Sequence, residues 1–316
     1  MLSEPVPENS VFSMDLREFK LLRSLVHEHS GIWLRDGKQV MLASRLSRRL
    51  RHHGLTSYAD YYELVQRIKY CSDEMRELIN CVTTNKTSFF REQHHFEFLS
   101  GTVIPQIRAE SARGPVRTIR IWSAACSTGE EPYSIAITLL EALKAPQRLN
   151  ARVEAQAAPR RTGLQNTTMP QCSCKIEVVA SDIDTAVLET AIRGVYNDDS
   201  LETVDIQLQR KYFLRGTGDM QGKVKIKPEA ARLVQFQRIN LMDANWCLDD
   251  RFDAIFFRNA LIYFNQETQN VFLRKMARLL KPNGYLFLGN SEHIPWLSDI
   301  LMPLKQTMYR LRSVAQ

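Results

Sequence analysis

The chain has 316 residues, 44% of them apolar and 24% charged, with a formal net charge of +7. These values sit near the globular average, exclude a disordered or fibrous protein, and suit one to three domains with ordinary cores. No apolar stretch approaches the roughly 20 residues that span a bilayer, and the opening MLSEPVPENS lacks a signal-peptide pattern, so a soluble cytoplasmic protein is expected.

The basic excess admits nucleic acid, a membrane surface or an acidic protein as partner, and charge alone does not choose among them. Six cysteines (Cys71, Cys81, Cys126, Cys172, Cys174, Cys247) lack the paired spacing of a zinc site, and Cys172 and Cys174 stand too close for the usual structural knuckle. No metal is expected, and the thiols read as reduced and incidental.

Residues 1–13 are polar and proline-bearing and are expected to form a disordered tail. From Met14 to about Asn80 the apolar spacing is helical, with Phe19, Leu22 and Val26, then Met41, Leu42, Leu46 and Leu50. Gly31, Gly37 and Gly54 mark breaks, Thr56 or Ser57 can cap a helix over 58–68, and Ser72 or Asp73 the next. No strand-like alternation precedes Arg117, so the first part reads as a small all-helical domain.

Beyond Arg117 short apolar runs alternate with helical patterns. Strands are expected over 118–123, 176–181, 234–239, 252–257 and 285–288, and helices over 132–143, after Asp184 and over 266–280. That order predicts a mainly parallel sheet with helices on both faces, and the TMYRL run at 307–311 suits an antiparallel edge pair. Residues 144–175 have no periodicity and read as a surface excursion, while strand-like runs at 211–215 and 223–227 suggest an inserted hairpin.

The chemistry concentrates where strands end. The stretch IRIWSAACSTGEEPYSIAI runs from a strand through small residues into Glu130, Glu131 and Pro132 at a helix start. Small residues let a ligand approach the backbone, but two carboxylates there would repel a pyrophosphate. A cationic ligand suits the place better, with Glu131 as its partner; the alternative is simple complementation of the helix dipole. Asp182, at the next strand end, is placed to accept ribose hydroxyls, and Asp184 to cap the following helix. Asn240 and Leu241 end the third strand, where an adenine could rest or a turn be formed. FDAIFFRNALIYF delivers Arg258, Asn259 and Tyr263 to the crevice at the fourth strand end. VTTNKTSFFRE, between helical domain and sheet, reads alone as a helix cap followed by a core anchor.

Taken in order, TTNKTSFFRE, WSAACSTGEEPYSIAI, ASDID, KYFLRGTG, FDAIFFRNALIYF and LLKPNGYLFLGNSE resemble the chemotaxis receptor methyltransferase (CheR) family, over essentially all of Thr83 to Arg312. The resemblance implies a helical substrate-docking domain over 14–84 and a Rossmann-like domain over 85–316 that binds S-adenosylmethionine (SAM). The latter should hold a mainly parallel seven-stranded sheet, with a small antiparallel β-subdomain at about 205–230 and the insertion at 144–175. By similarity, Asn85, Thr87, Arg91, Glu131, Asp182, Asn240, Leu241, Arg258 and Asn259 contact SAM. Arg91 and Tyr263 are then the catalytic pair where the methyl group moves. The family usually carries alanine where this chain has Cys126, a small change, and the 144–175 insertion departs from its pattern.

The activity implied is esterification of chemoreceptor glutamates, giving S-adenosylhomocysteine as product. A glutamate carboxylate is already ionised at neutral pH, so positioning matters more than a general base. Arg45, Arg48 or Arg49, and His52 fall on one helical face, where Arg45, Arg48 and Arg49 could dock an acidic receptor helix, and the β-subdomain edge could accept a receptor-tail peptide. A nucleic-acid methyltransferase is disfavoured: the Asn/Asp-Pro-Pro-aromatic turn and a Pro-Cys nucleophile are both missing. A non-catalytic scaffold is disfavoured by the intact polar set, and a monomer is the default.

Overall fold

The computed structural model describes residues 13–67, 73–111, 117–144, 174–248 and 250–312. The expected tail apart from Ser13, and the insertion apart from Lys144, Cys174 and Lys175, lie outside the described residues, as do Ile68, Cys71, Ser72 and Cys172. Among the described residues no helix is long and apolar enough to cross a membrane.

Four helices form the first domain: α1 (Leu16–Ser30), α2 (Gln39–His53), α3 (Tyr58–Arg67) and α4 (Asp73–Val82). Asp15 and Glu18 close a capping box at the start of α1. The Ser57 hydroxyl accepts the Asp60 amide at 3.1 Å, which makes Ser57 rather than Thr56 the cap of α3. Phe19, Leu22, Val26, Leu42, Leu46 and Leu50 turn into one core with Tyr58, Tyr61 and Leu78. Gly31 ends α1 at φ +74°, and a Cβ there would lie 2.7 Å from Met242 Sδ, so the glycine lets this domain press against the next.

The second domain opens with α5 (His94–Phe98), a π-helical segment (Leu99–Val103) and α6 (Ile104–Ser111). It continues with β1 (Thr118–Ala124), α7 (Glu130–Lys144), β2 (Lys175–Asp182), α8 (Thr185–Arg193), β3 (Val195–Asn197), α9 (Ile206–Tyr212), β4 (Phe213–Arg215) and β5 (Lys223–Ile226). Then follow α10 (Pro228–Ala231), β6 (Val234–Arg238), β7 (Phe252–Phe257), α11 (Gln266–Arg278), β8 (Leu280–Leu288), β9 (Leu301–Pro303) and β10 (Met308–Leu311). The main sheet has the order β6-β2-β1-β7-β8-β10-β9. Its first five strands are parallel, and β10 runs antiparallel to both β8 and β9. The order reverses beside β1, which opens a crevice at the carboxyl ends of β1, β2 and β7.

Three expectations are corrected. The expected hairpin forms, β4 antiparallel to β5, but β3 adds a third strand on the other side of β5; the element therefore starts at Val195, ahead of 205, and Lys211 and Tyr212 belong to α9. Strand β8 begins at Leu280, the residue expected to close the helix over 266–280, and that helix ends at Arg278. Leu280 pairs with Phe252, the register then shifts, and Asn283 takes φ +63°. Helix α7 begins at Glu130, so Pro132 sits within the first turn, where its missing N–H has no helical acceptor to lose.

The docking arginines also divide. Arg45 donates to the carbonyls of Val82 and Thr83 at 2.8 Å each, capping the end of α4. Arg49 pairs with the buried Glu74, its Nε 3.0 Å from Oε1. Glu74 also accepts the Tyr61 hydroxyl at 2.6 Å and faces His53 Nε2 at 2.7 Å. Arg48 alone of the three is exposed. Helical periodicity places Arg45 on one side with Arg48 or Arg49, but does not reveal that α4 answers two of the three.

Burial alone would raise the pKa of Glu74; the hydrogen bonds from Arg49, Tyr61 and His53 outweigh it and hold the group below its ordinary value. Its contribution to stability is therefore complete above the unfolded carboxyl value of about 4.3 and disappears as pH falls through the lower folded value. Glu74→Gln takes from Arg49 its buried counter-charge and leaves it only Glu77 at 3.8 Å, and chemical denaturation at pH 7 should show a loss of about 3 kcal/mol, with less acid sensitivity than the parent. An unchanged midpoint would show that the pair holds nothing together.

Candidate functional site

At the tip of β1 the chain turns through Ala125 (φ +56°), Cys126, Ser127 (φ +50°), Thr128 and Gly129 (φ +96°) into α7. Two non-glycine residues in left-handed conformation need outside support. It comes from β2: Cys126 N donates to the Ser181 carbonyl at 2.9 Å, and Ser127 N to Asp182 Oδ2 at 2.9 Å. A Cβ on Gly129 would meet Ala191 Cβ at 2.8 Å and Tyr196 Oη at 3.0 Å, so only glycine lets the loop lie against α8 and β3.

Asp182 is 7% exposed, and its second oxygen accepts the Asp184 amide at 3.0 Å. Burial raises its carboxyl to about 6, against the lowering effect of the Asp184 and Ser127 amides. Asp184 caps α8 through the amides of Ala186 and Val187, as its sequence position implies. Its other oxygen takes the Thr83 hydroxyl at 2.6 Å and the Asn85 amide at 2.8 Å. Asn85 thus ties the linking segment to the β2 end, and its own carbonyl accepts the Ser127 hydroxyl at 3.0 Å.

The two glutamates that open α7 part company. Glu130 accepts the Thr128 hydroxyl at 2.7 Å and does not line the cleft. Glu131 reaches the cleft wall, accepting the Ser123 hydroxyl at 2.7 Å and pairing with Arg258 Nε at 2.9 Å. Burial raises the Glu131 carboxyl, with Arg258 and Ser123 opposing. Arg258, at the β7 tip, also donates to the Arg91 carbonyl at 2.6 Å. Asn259 follows at φ +57°, donating through its amide nitrogen to Glu92 at 3.2 Å. Its backbone N–H goes to Glu292 at 2.9 Å, and Glu292 also receives the amides of Leu261 and Gly289. A Cβ on Gly289 would fall 2.4 Å from Asn259 Nδ2, so this glycine makes room for the β7 turn.

The helical domain and the linking segment that follows it roof the crevice with Ser30, Ile32 and residues 82–87. Asn240 binds that roof, donating to the His29 carbonyl at 2.6 Å while its oxygen accepts the Met242 amide at 3.0 Å. Its side chain is engaged by protein on both ends, which supports the turn reading of this asparagine. Ile32 bridges Phe264, and Trp33 N donates to the Tyr263 carbonyl at 2.7 Å.

The resulting cleft has a volume of about 1000 Å³ up to its open mouth. Asn85, Thr87, Arg91, Glu131, Asp182, Asn240, Leu241, Arg258, Asn259 and Tyr263 all line it. Arg45, Arg48 and Arg49 do not. Sequence reasoning passed over Glu92, His95 and Glu292, which hold Arg258 and Asn259 in place. Glu92 and Glu292 close two of the quoted motifs without receiving a role, and His95 lies just beyond the first. Among the described residues no group of three or more His, Cys, Asp or Glu could hold a metal ion.

Two buried carboxylates on the wall, one paired with a guanidinium and one held only by backbone amides, suit a cationic ligand that carries hydroxyls. A phosphate finds no such welcome.

Comparison with known proteins agrees. The family profile described as "CheR methyltransferase, SAM binding domain" matches residues 85–158 and 163–310, and "CheR methyltransferase, all-alpha domain" matches 17–83. Chemotaxis protein methyltransferase 2 of Pseudomonas aeruginosa is 39% identical over 305 residues, covering 96% of each chain. The chemotaxis protein methyltransferase of Klebsiella aerogenes is 43% identical, covering 93% of this chain and 89% of its own. That of Escherichia coli is 40% identical, covering 93% and 90%. With both profiles laid end to end over a helical roof and a carboxylate-lined crevice, the chain belongs to the CheR methyltransferase family.

Proposed function

We propose that the protein transfers methyl groups from SAM to glutamate side chains of chemoreceptors, forming methyl esters. The observation that carries this reading is the pairing, in one cleft, of two buried carboxylates with Arg91 and Tyr263. The donor set fits SAM: Glu131 for its ammonium group, Asp182 for its ribose hydroxyls, and Ala125 and Ser127 for close backbone approach. When bound, SAM supplies a methyl group made electrophilic by a sulfonium, ready for in-line transfer to a carboxylate oxygen.

The chain's own residues then have positional tasks. The acceptor glutamate needs no base at neutral pH, because its carboxyl is ionised above about 4.3. Arg91, half-buried and braced through Nη1 on the Lys86 carbonyl at 3.0 Å, presents a planar fork that can orient that carboxylate. Tyr263 lines the same cleft and is fixed through its backbone carbonyl. The helical roof excludes water from the reacting atoms. Exposed Arg48 is left as the electrostatic contact for an acidic receptor helix, and the outer edges of β3 and β4 suit a peptide strand.

The reading is tested by incubating the full chain with labelled SAM and receptor-bearing membranes and counting base-labile methyl groups. No label on receptor would end it. Arg91→Ala should lower turnover about 100-fold with an unchanged melting temperature, since loss of orientation alone has that scale. Near-normal incorporation would remove Arg91 from its role. Asp182 accepts hydroxyls best as a carboxylate. SAM affinity measured by calorimetry should therefore rise from pH 5 to pH 7 through the group's value of about 6, and Asp182→Asn should abolish that rise. Arg48→Glu should raise the receptor KM roughly 3- to 10-fold at low salt and flatten its salt dependence. Unchanged kinetics would leave Arg48 a solvated surface residue.

A further inference from the structure

One group behind the cleft wall has no part in the mechanism above. His95 is fully buried on α5, and both ring nitrogens are engaged. Nε2 lies 3.2 Å from the Gln306 carbonyl, and Nδ1 lies 3.3 Å from Arg258 Nη1. A carbonyl only accepts, so Nε2 carries the proton; a guanidinium only donates, so Nδ1 must offer its lone pair. The two neighbours select one neutral tautomer.

One contact pulls the other way. Glu92 Oε2 is 3.4 Å from the same Nδ1 and would favour a proton there. That proton would point at the Arg258 guanidinium in a place closed to solvent. Burial first, and then Arg258 and His94, drive the imidazole down to about 4 against the raising influence of Gln306 and Glu92. The neutral form prevails at neutral pH. Phe287 closes one side of the ring with an edge contact at 5.5 Å.

The far end of this contact is also built with effort. Gln306 and Thr307 both adopt left-handed backbone, φ +44° and +63°, in the turn between β9 and β10. Thr307 holds the turn by donating its hydroxyl to the Leu288 carbonyl at 2.9 Å. Strain of this kind persists where neighbouring contacts over-determine it. Here it aims the Gln306 carbonyl at His95.

We infer that His95 is a positioning residue for cofactor binding: as the Nε2–H tautomer, anchored on Gln306, it accepts from Arg258 and fixes that guanidinium between Glu131 and the Arg91 carbonyl. The inference rests on the methyltransferase reading, because Arg258 and Glu131 are assigned to SAM there. It adds a chain from the C-terminal turn to the ammonium site that no cofactor contact requires. Glu131 keeps its geometry for SAM only while Arg258 is held from its other side.

Two substitutions and one spectrum test it on the full chain. His95→Leu removes the acceptor while keeping an apolar volume, and should weaken SAM binding about tenfold by calorimetry, with a matching rise in the KM for SAM. His95→Asn puts an amide oxygen near the Nδ1 position and should restore affinity to within about threefold of the parent. A long-range proton–nitrogen correlation spectrum at pH 7 should show His95 protonated on Nε2 alone. Leucine binding SAM like the parent, asparagine no better than leucine, or a proton on Nδ1 would each overturn the inference. If His95→Leu does not fold, the asparagine variant and the spectrum decide the matter. Failure of the parent to bind SAM would instead sink the functional reading, and the tautomer would still be read.

Discussion

A guanidinium withdrawn from water has to be met on each of its donor edges, or the fold pays in uncompensated charge. Arg258, 2% exposed in its side chain, is met by three separate stretches of chain: Glu131 from the start of α7, the Arg91 carbonyl from the linking segment, and His95 from α5. These contacts draw the linker onto the tip of β7 and the first turn of α7 against it. The cleft wall is therefore one interlocked object rather than a row of loops. Asp182 does the same for the opposite wall, bracing the left-handed turn at Ser127 and the start of α8 with its two oxygens.

The two domains meet around the cleft through hydrogen bonds as well as apolar packing of Ile183 and Phe264 on the helical core. Asn240 holds the end of α1, Asp184 holds Thr83 and Asn85, and Trp33 is bonded to Tyr263. Each of these residues belongs to the crevice or stands beside it. Domain contact and site construction thus draw on the same side chains, so a change at Asn85 or Asn240 acts on both at once. The helical domain contributes cover to the cleft.

Much of this was legible in the chain. Alternating strand and helix patterns disclose the parallel sheet, and ordered motifs at strand ends disclose the cleft, because a doubly wound sheet sends those ends to one side. What stayed hidden depends on partners distant in sequence. Periodicity puts Arg45 and Arg49 on a face but is blind to α4, which takes both. β3 has three residues and carries too little alternation to stand out. The KPNG run has the composition of a helix stop, and becomes strand because Leu280 finds Phe252 beside it. Glu92, His95 and Glu292 have no local signature, since their work is to hold other residues still.

Strand β1 is the middle of the five parallel strands, yet its partner on one side arrives very late. The Arg120 amide meets the carboxylate of Asp253, 133 positions further along the chain, while the four N-terminal helices close their core on near neighbours. On a ribosome adding about 5–20 residues per second, the helical domain can settle while β1 still waits roughly ten seconds for its neighbour. Until then one long edge of an apolar strand is unpaired, and the nascent protein is at its most vulnerable to association with other chains. Assembly of the catalytic domain is in this sense governed by synthesis of its C-terminal third.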